Sequence, residues 1–278
     1  ARTFEAEQVW VQIEDGSAKA TRMFRGNTYW HEKDVTQAST KTLATTMGDW
    51  LIRHVREDGR MTYMWYPGTS TEGEDNNMIR QWMATNCLVK IAYDRDDQAV
   101  FDLVEKNIDY NLEHFYKEDE EGYGWIEYRG TSKLGGISLA TMALVLHPKR
   151  EKWAAQEAAM RKTIDRLWHE DGSFDAFYKP RQQRGGANVH NFYPGETLLL
   201  WSTWLIDADD PELLARFMKS FEYYRKWHIN EPPIRKPSFT PWHSQAYYNV
   251  WTKTKDPELQ AFVFEMNDWL IEKMAQWD

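Results

Sequence analysis

The chain has 278 residues, enough for one large hydrophobic core or two small ones. Its 42% hydrophobic and 28% charged residues describe a globular protein rather than a disordered one, and no apolar run approaches the ~20 residues of a membrane span. A net charge of −9 argues against nucleic acid and anionic membranes as main partners, and a single cysteine excludes an internal disulfide or a Cys-rich zinc site.

Taken in chain order, residues 1–35 form the first segment. Within it, residues 1–30 alternate, as in Val9-Trp-Val-Gln-Ile13, and predict strands packed against the helices. Thr36–Val55 has helical period and ends in Trp50-Leu-Ile-Arg-His-Val55. Then comes Asp58-Gly-Arg-Met-Thr-Tyr-Met-Trp-Tyr66, an acid-Gly turn, alternating residues and an aromatic pair, Trp65-Tyr66. The polar cluster Glu72-Gly-Glu-Asp75-Asn76-Asn-Met-Ile-Arg80-Gln81 leads into Met78–Ala92, apolar nearly all round and so a buried helix, with Asp75 or Asn76 as a natural cap.

Tyr93-Asp-Arg-Asp-Asp-Gln-Ala-Val-Phe101 reads as a tight turn into Val100–Tyr116, a helix with one solvent face. A second acid-Gly ribbon, Glu121-Gly-Tyr-Gly-Trp-Ile-Glu-Tyr128, is followed by Gly130-Thr-Ser132-Lys133-Leu-Gly-Gly136, where Ser132 is a natural cap, and by the apolar helix Leu134–Leu146. His147-Pro-Lys-Arg-Glu-Lys-Trp153 is a looser turn before the solvent-faced helix Glu151–Trp168.

The third ribbon, Asp171-Gly-Ser-Phe-Asp-Ala-Phe-Tyr178, precedes a loop with Arg181 and Arg184 and the cluster Asn188-Val-His190-Asn-Phe-Tyr193-Pro-Gly-Glu196. Pro194-Gly-Glu196 opens an apolar helix, whose stretch Thr197–Ile206 is buried, Ile206-Asp-Ala-Asp-Asp-Pro-Glu-Leu-Leu214 is a turn, and Glu212–Trp227 is solvent-faced. After the Pro-rich stretch 231–237, a candidate cover, comes Phe239-Thr-Pro-Trp242-His243-Ser-Gln245-Ala-Tyr-Tyr248. Thr252-Lys-Thr-Lys-Asp-Pro-Glu-Leu-Gln260 turns into the last solvent-faced helix, Glu258–Trp277.

Two signals therefore interleave as repeats. The ribbons recur roughly 50–60 residues apart. Between them lie turns in which an Asp before Pro-Glu-Leu is an N-cap followed by a first-turn proline and an acid. The resulting order is solvent-faced helix, ribbon, loop, buried helix and tight turn. It predicts an all-α protein: an α/α toroid or incomplete α/α barrel over 36–278, with short β-ribbons at one end and N-terminal strands over 1–35. Acid-Gly-aromatic ribbons between paired helices resemble the α/α-toroid superfamily. That superfamily includes six-hairpin glycosidases, polysaccharide lyases, the C-terminal helical domain of glucuronyl C5-epimerases, and terpenoid cyclases. The resemblance implies architecture; no family's catalytic signature is present, so no residue role is carried over.

The tight turns lie at one end of such a toroid. The ribbons and the buried-helix starts lie at the other, where free N–H groups and positive dipole ends face the mouth. Asp94-Arg-Asp96-Asp97 matches the DxDD acid of terpenoid cyclases but falls in a tight turn, at the wrong end. Cys87 has no cysteine partner for the zinc site of lanthionine cyclases, and the histidines are dispersed, so no metal or cofactor is expected.

The 15 Trp, 14 Tyr and 12 Phe are largely core, but flat rings with polar edges also suit a pyranose. The expected function is a carbohydrate-active enzyme on an oligo- or polysaccharide. Glycoside hydrolysis is favoured, with Glu196 as acid, raised in pKa by desolvation, and Asp75 or Glu74 as partner. Uronate lyase or epimerase chemistry is the variant, with Arg80 or Lys133 neutralising the sugar carboxylate and Tyr193, His190 or His243 moving the proton. Gln81, Trp65, Tyr66, Trp242, Gln245 and Arg184 complete the candidate binding set. The alternative is a non-catalytic module that binds a glycan or protein on the same face. Composition leaves the oligomeric state and the compartment open. A chain that opens on Ala1 without methionine or signal peptide fits a processed or trimmed protein, either cytoplasmic or periplasmic/secreted.

Overall fold

The structure, a computed structural model, describes residues 8–24, 27–28, 34–230 and 235–275. By its contacts the chain divides into two compact units, Ala1–Trp50 and Leu51–Asp278, whereas the sequence places the division after residue 35.

In the first unit, β1 (Gln8–Glu14) and β2 (Ser17–Phe24) form an antiparallel hairpin, and β3 (Asn27–Thr28) pairs with β2. The hairpin turns on Asp15-Gly16, both at positive φ (47° and 76°), as a two-residue turn matched to strand twist requires. Helix α1 (Gln37–Arg53) starts with a reciprocal cap, in which the Thr36 N–H donates to Ser39 Oγ (2.8 Å) and the Ser39 N–H to Thr36 Oγ1 (3.1 Å).

The second unit alternates inner and outer helices. The inner ones are α2 (Met78–Arg95), α4 (Leu134–Leu146), α6 (Tyr193–Asp207) and α8 (Thr240–Thr254). The outer ones are α3 (Gln98–Phe115), α5 (Ala154–Leu167), α7 (Pro211–Asn230) and α9 (Pro257–Ala275). Successive inner helices pack on one another, α2 on α4, α4 on α6 and α6 on α8, and each inner helix packs on the outer helix that comes after it. This is an α/α toroid architecture. Helix α4 is buried on every side from Leu134 to Ala143, as its unbroken apolar composition requires, whereas α3 and α7 bury one stripe.

The inner-to-outer turns owe their tightness to aspartates. Asp96 takes the left-handed conformation (φ 50°), and Asp97 Oδ1 accepts from the Ala99 N–H (2.9 Å) and the Val100 N–H (3.3 Å). Asp210 Oδ1 accepts from the Leu213 N–H (2.9 Å) and Asp256 Oδ1 from the Glu258 N–H (2.8 Å). The Asp94–Asp97 motif is thus the α2–α3 turn. His147, in the looser turn, accepts from the Lys149 N–H at Nδ1 (3.1 Å) and donates from Nε2 to the Phe101 carbonyl (3.1 Å).

The segments that lead into α2 and α4 carry the ribbons β4 (Trp65–Tyr66) with β5 (Thr71–Glu72), and β6 (Tyr116–Glu118) with β7 (Gly124–Ile126), respectively. The third, β9 (Phe177–Lys179), pairs with β8 (Ser132–Lys133) from the preceding connection. Gly59 and Gly172 mark the first and third acid-Gly turns at φ 91° and 88°. Their α-carbons press on outer helices: a Cβ would lie 2.3 Å from the Lys106 carbonyl oxygen and 2.4 Å from that of Lys219, respectively. Only glycine fits both the conformation and the approach.

Two local expectations are corrected. Helix α2 is capped by Asn77, whose side chain accepts from the Arg80 N–H (3.3 Å), not by Asp75 or Asn76, because Asn76 Oδ1 is engaged by the Asn77 N–H (2.8 Å) and Gln81 Nε2 (2.9 Å). Ser132 is a strand residue, so α4 starts after Lys133 without a side-chain cap. Helix α6 begins at Tyr193 with Pro194 in its first turn, at the Pro194-Gly-Glu196 opening that the sequence marks. The expected cover, residues 231–237, lies partly outside the described residues.

Candidate functional site

The starts of all four inner helices converge on one cavity of about 420 Å³, within the usual range for a small-molecule site. Helix α2 contributes Asn77, Ile79, Arg80 and Met83; the β8–α4 junction contributes Lys133; α6 and its lead-in contribute Phe192, Tyr193 and Glu196; and Ser238, Pro241 and Trp242 come from the start of α8.

Glu196 is the chemical centre of this cavity. It is 2% exposed, and its Oε2 has no hydrogen-bond partner. It lies against Gly135 of α4, where a Cβ would come 1.8 Å from Oε2 and 2.8 Å from Tyr193 Cδ1. The glycine therefore clears the space the carboxyl fills. Burial pushes the Glu196 pKa up to about 8, against a smaller lowering by the Arg80 guanidinium. At neutral pH it is mainly a carboxylic acid. Its position in the first turn would by itself favour ionisation, so removal from water outweighs the helix dipole.

Tyr193, one turn earlier, is also buried. Desolvation and the neighbouring Glu196 push its pKa up to about 12, so it remains a phenol and a proton donor at neutral pH. Arg80 is solvent-facing and touches Met83 Sδ (Nη1 3.5 Å), so it carries no burial cost of the kind a fully inner arginine would. Lys133 is held at the cavity wall by β8–β9 pairing and by the adjoining Leu134 N–H, which donates to the Ala176 carbonyl (3.0 Å). Two cations, a phenol and one protonated carboxyl thus share a half-apolar cavity with Trp242.

Other sequence candidates sit elsewhere. His190 is buried behind the mouth, with Nε2 donating to the Arg184 carbonyl (2.9 Å) and Nδ1 3.3 Å from Tyr224 Oη. His243 is fully buried; it stacks on Phe239 at 3.5 Å, bonds the Phe239 carbonyl through Nδ1 (2.9 Å), and burial pushes its pKa down to about 3. It supports the site from behind, since a Cβ on Gly195 would lie 2.6 Å from its Cε1. Gln81 is buried and donates to the Met61 carbonyl (3.1 Å), a structural tie.

Asp75 faces solvent in an ion pair with Arg129 (3.4 Å), away from the cavity lining. Trp65 and Tyr66 are about half exposed on the β4–β5 ribbon, and Gln245 is exposed and bonds the Pro241 carbonyl (2.8 Å). Arg184 bonds Ser173 Oγ (3.1 Å) and Tyr223 Oη in the loop before α6. Sequence reasoning does not find Asn77, Ile79, Met83, Phe192, Ser238 and Pro241. Asn77 carries a signal as an Asn before an apolar run; the others are cavity residues by packing alone.

No protein-family model matches the chain, and no curated protein matches it in sequence. Several solved structures share its fold. The crystal structure of D-mannose isomerase aligns with a TM-score of 0.59 and 11% identity, covering 84% of this chain and 71% of that one. A structure described as a novel alpha-amylase from Clostridium perfringens aligns with a TM-score of 0.61, the same identity and the same coverage. At such identity the likeness establishes the α/α toroid, and it is the cavity that must indicate the reaction.

Proposed function

We propose that the cavity binds a sugar acid and moves a proton at the carbon next to its carboxylate, the step shared by uronate epimerases and lyases. The observation that carries this reading is the make-up of the lining: Glu196 is its one carboxylate among the described residues, and it faces a rim with Arg80 and Lys133. Glycoside hydrolysis, the reaction favoured by sequence, needs a second carboxylate about 5–10 Å from the first. Its candidates, Asp75 and Glu74, are both exposed and outside the cavity lining, and Asp75 pairs with Arg129. A carbohydrate substrate is supported by Trp242 and Phe192 in the lining and by the sugar-handling names of the two named fold neighbours.

In this reading the ionised fraction of Glu196, which grows as pH rises toward about 8, takes the proton from the carbon α to the sugar carboxylate. The electron pair passes into that carboxylate, whose second negative charge Arg80 and Lys133 offset. A carboxylate whose conjugate acid has a pKa about 8 is a stronger base than an ordinary one. The Tyr193 hydroxyl then gives a proton, either back to the same carbon from the other face, inverting it, or to the β-oxygen as the C–O bond breaks and a C=C bond forms. Proton exchange with water resets both groups. The test is incubation with uronate saccharides and then NMR of the products. An inverted or unsaturated uronate supports the reading; hydrolysed but otherwise unchanged sugars return it to glycoside hydrolysis, and binding without turnover makes it a binding module.

A further inference from the structure

A second cavity, of about 220 Å³, adjoins the first, and the two share Asn77, Ile79 and Lys133 as a common wall. Its remaining lining includes Asn76, Tyr128, Thr131 and Gly136. We propose that this cavity is a subsite for the neighbouring sugar of a chain, so that the substrate is an oligo- or polyuronate and Lys133 stands at the junction between two units. The inference rests on the sugar-acid reading of the first cavity.

The chemistry of the wall fits such a ligand. Tyr128 offers a half-buried ring, held by an edge contact with Phe115 (6.1 Å) and bearing the Arg129 guanidinium 5.1 Å from its centroid. Asn76, Asn77 and Thr131 add short polar side chains suited to sugar hydroxyls. The Tyr128–Thr131 turn is closed by two backbone hydrogen bonds, Tyr128 N–H to the Thr131 carbonyl (3.0 Å) and Thr131 N–H to the Tyr128 carbonyl (3.1 Å), so the ring and hydroxyl share one rigid support. Gly136 opens the floor, where an added Cβ would meet only Met78 Cβ, at 4.0 Å. Lys133, at the start of α4 and on the wall of both cavities, has three donors on one ammonium and can serve the carboxylate of one unit and an oxygen of the next.

The experiment is calorimetric titration with mono-, di- and tetrasaccharides of galacturonate, mannuronate and glucuronate, and with glucose and its oligomers as neutral controls. In one acidic series the disaccharide should bind about 10–100-fold more tightly than the monosaccharide. Thr131→Trp, which fills the second cavity, and Tyr128→Ala should each abolish that gain while leaving monosaccharide affinity within about 2-fold of the parent. Retained monosaccharide binding is also the measure that each variant is folded; if Tyr128→Ala unfolds, Thr131→Trp decides alone. A monosaccharide that binds as tightly as its disaccharide, or a gain that survives Thr131→Trp, overturns the subsite and leaves the sugar-acid reading standing. Failure of every acidic saccharide to bind, or equal binding of the neutral ones, overturns that reading and the subsite with it.

Discussion

Replacing Glu196 with glutamine should abolish turnover and stabilise the protein. In the folded chain burial holds the Glu196 carboxyl near pKa 8, against an ordinary 4.5 in the unfolded chain. The folded state therefore binds the proton more tightly, and its stability falls as pH rises from about 4.5 to about 8. At pH 7 that gap costs about 3 kcal/mol. Glutamine is never ionised and escapes the cost, but its amide is buried in the same unpartnered position, which returns about 1–2 kcal/mol. The net expectation is a gain of about 1–3 kcal/mol at pH 7–8 that shrinks to nothing or reverses near pH 5. Urea unfolding at pH 5 and pH 8 reads this difference. Turnover should fall about 10²–10⁴-fold, whereas Asp96→Asn, in the turn at the opposite end, should leave it unchanged. A glutamine variant destabilised equally at both pH values would refute the buried, raised-pKa carboxyl. The sequence alone implies little change in stability, because it presents Glu196 as a helix-end acid.

Three further expectations rest on the same geometry. Gly135→Ala places a Cβ 1.8 Å from Glu196 Oε2, so it should cost about 1–3 kcal/mol in denaturation and displace the carboxyl, lowering turnover. Gly172→Ala combines φ 88° with a Cβ 2.4 Å from the Lys219 carbonyl and should destabilise by more than about 1 kcal/mol without touching the cavity; unchanged stability would contradict the packing of that turn. Burial pushes the His228 and His243 pKa values down to about 4 and about 3. Both histidines take up protons on unfolding below about pH 6.5, so stability should fall as pH drops from 6.5 toward 4, and replacing either with Asn or Gln should flatten that limb of the melting curve.

The fold is legible wherever local chemistry decides it. The apolar run Leu134–Leu146 marks the bounds of α4, and Asp97, Asp210 and Asp256 mark turns because an aspartate cap is a local hydrogen bond. Pro194-Gly195-Glu196 marks the start of α6, because proline is at home in a first turn and an acid is favoured there. Strand β8 escapes a sequence reading because its partner, β9, lies over 40 residues away. The convergence of inner-helix starts is readable, and with it Arg80, Lys133, Tyr193, Glu196 and Trp242. Which neighbour faces the cavity is not. His243 comes one residue after Trp242, about 100° around the helix, and that rotation takes it from the mouth into the core. Ile79, Met83 and Phe192 line the site through packing that no local pattern signals.

The central claim is that Glu196 moves a proton at the carbon beside a sugar carboxylate. Incubating the protein with uronate saccharides in D2O and monitoring that one carbon by NMR tests it without regard to the final product. The account predicts loss of protium from that carbon, replaced by deuterium in an inverted uronate or by the C=C bond in an unsaturated one, faster as pH rises toward about 8 and about 10²–10⁴-fold more slowly in Glu196→Gln. Product formation with protium fully retained there, or exchange that persists in Glu196→Gln at the parent rate, would contradict it.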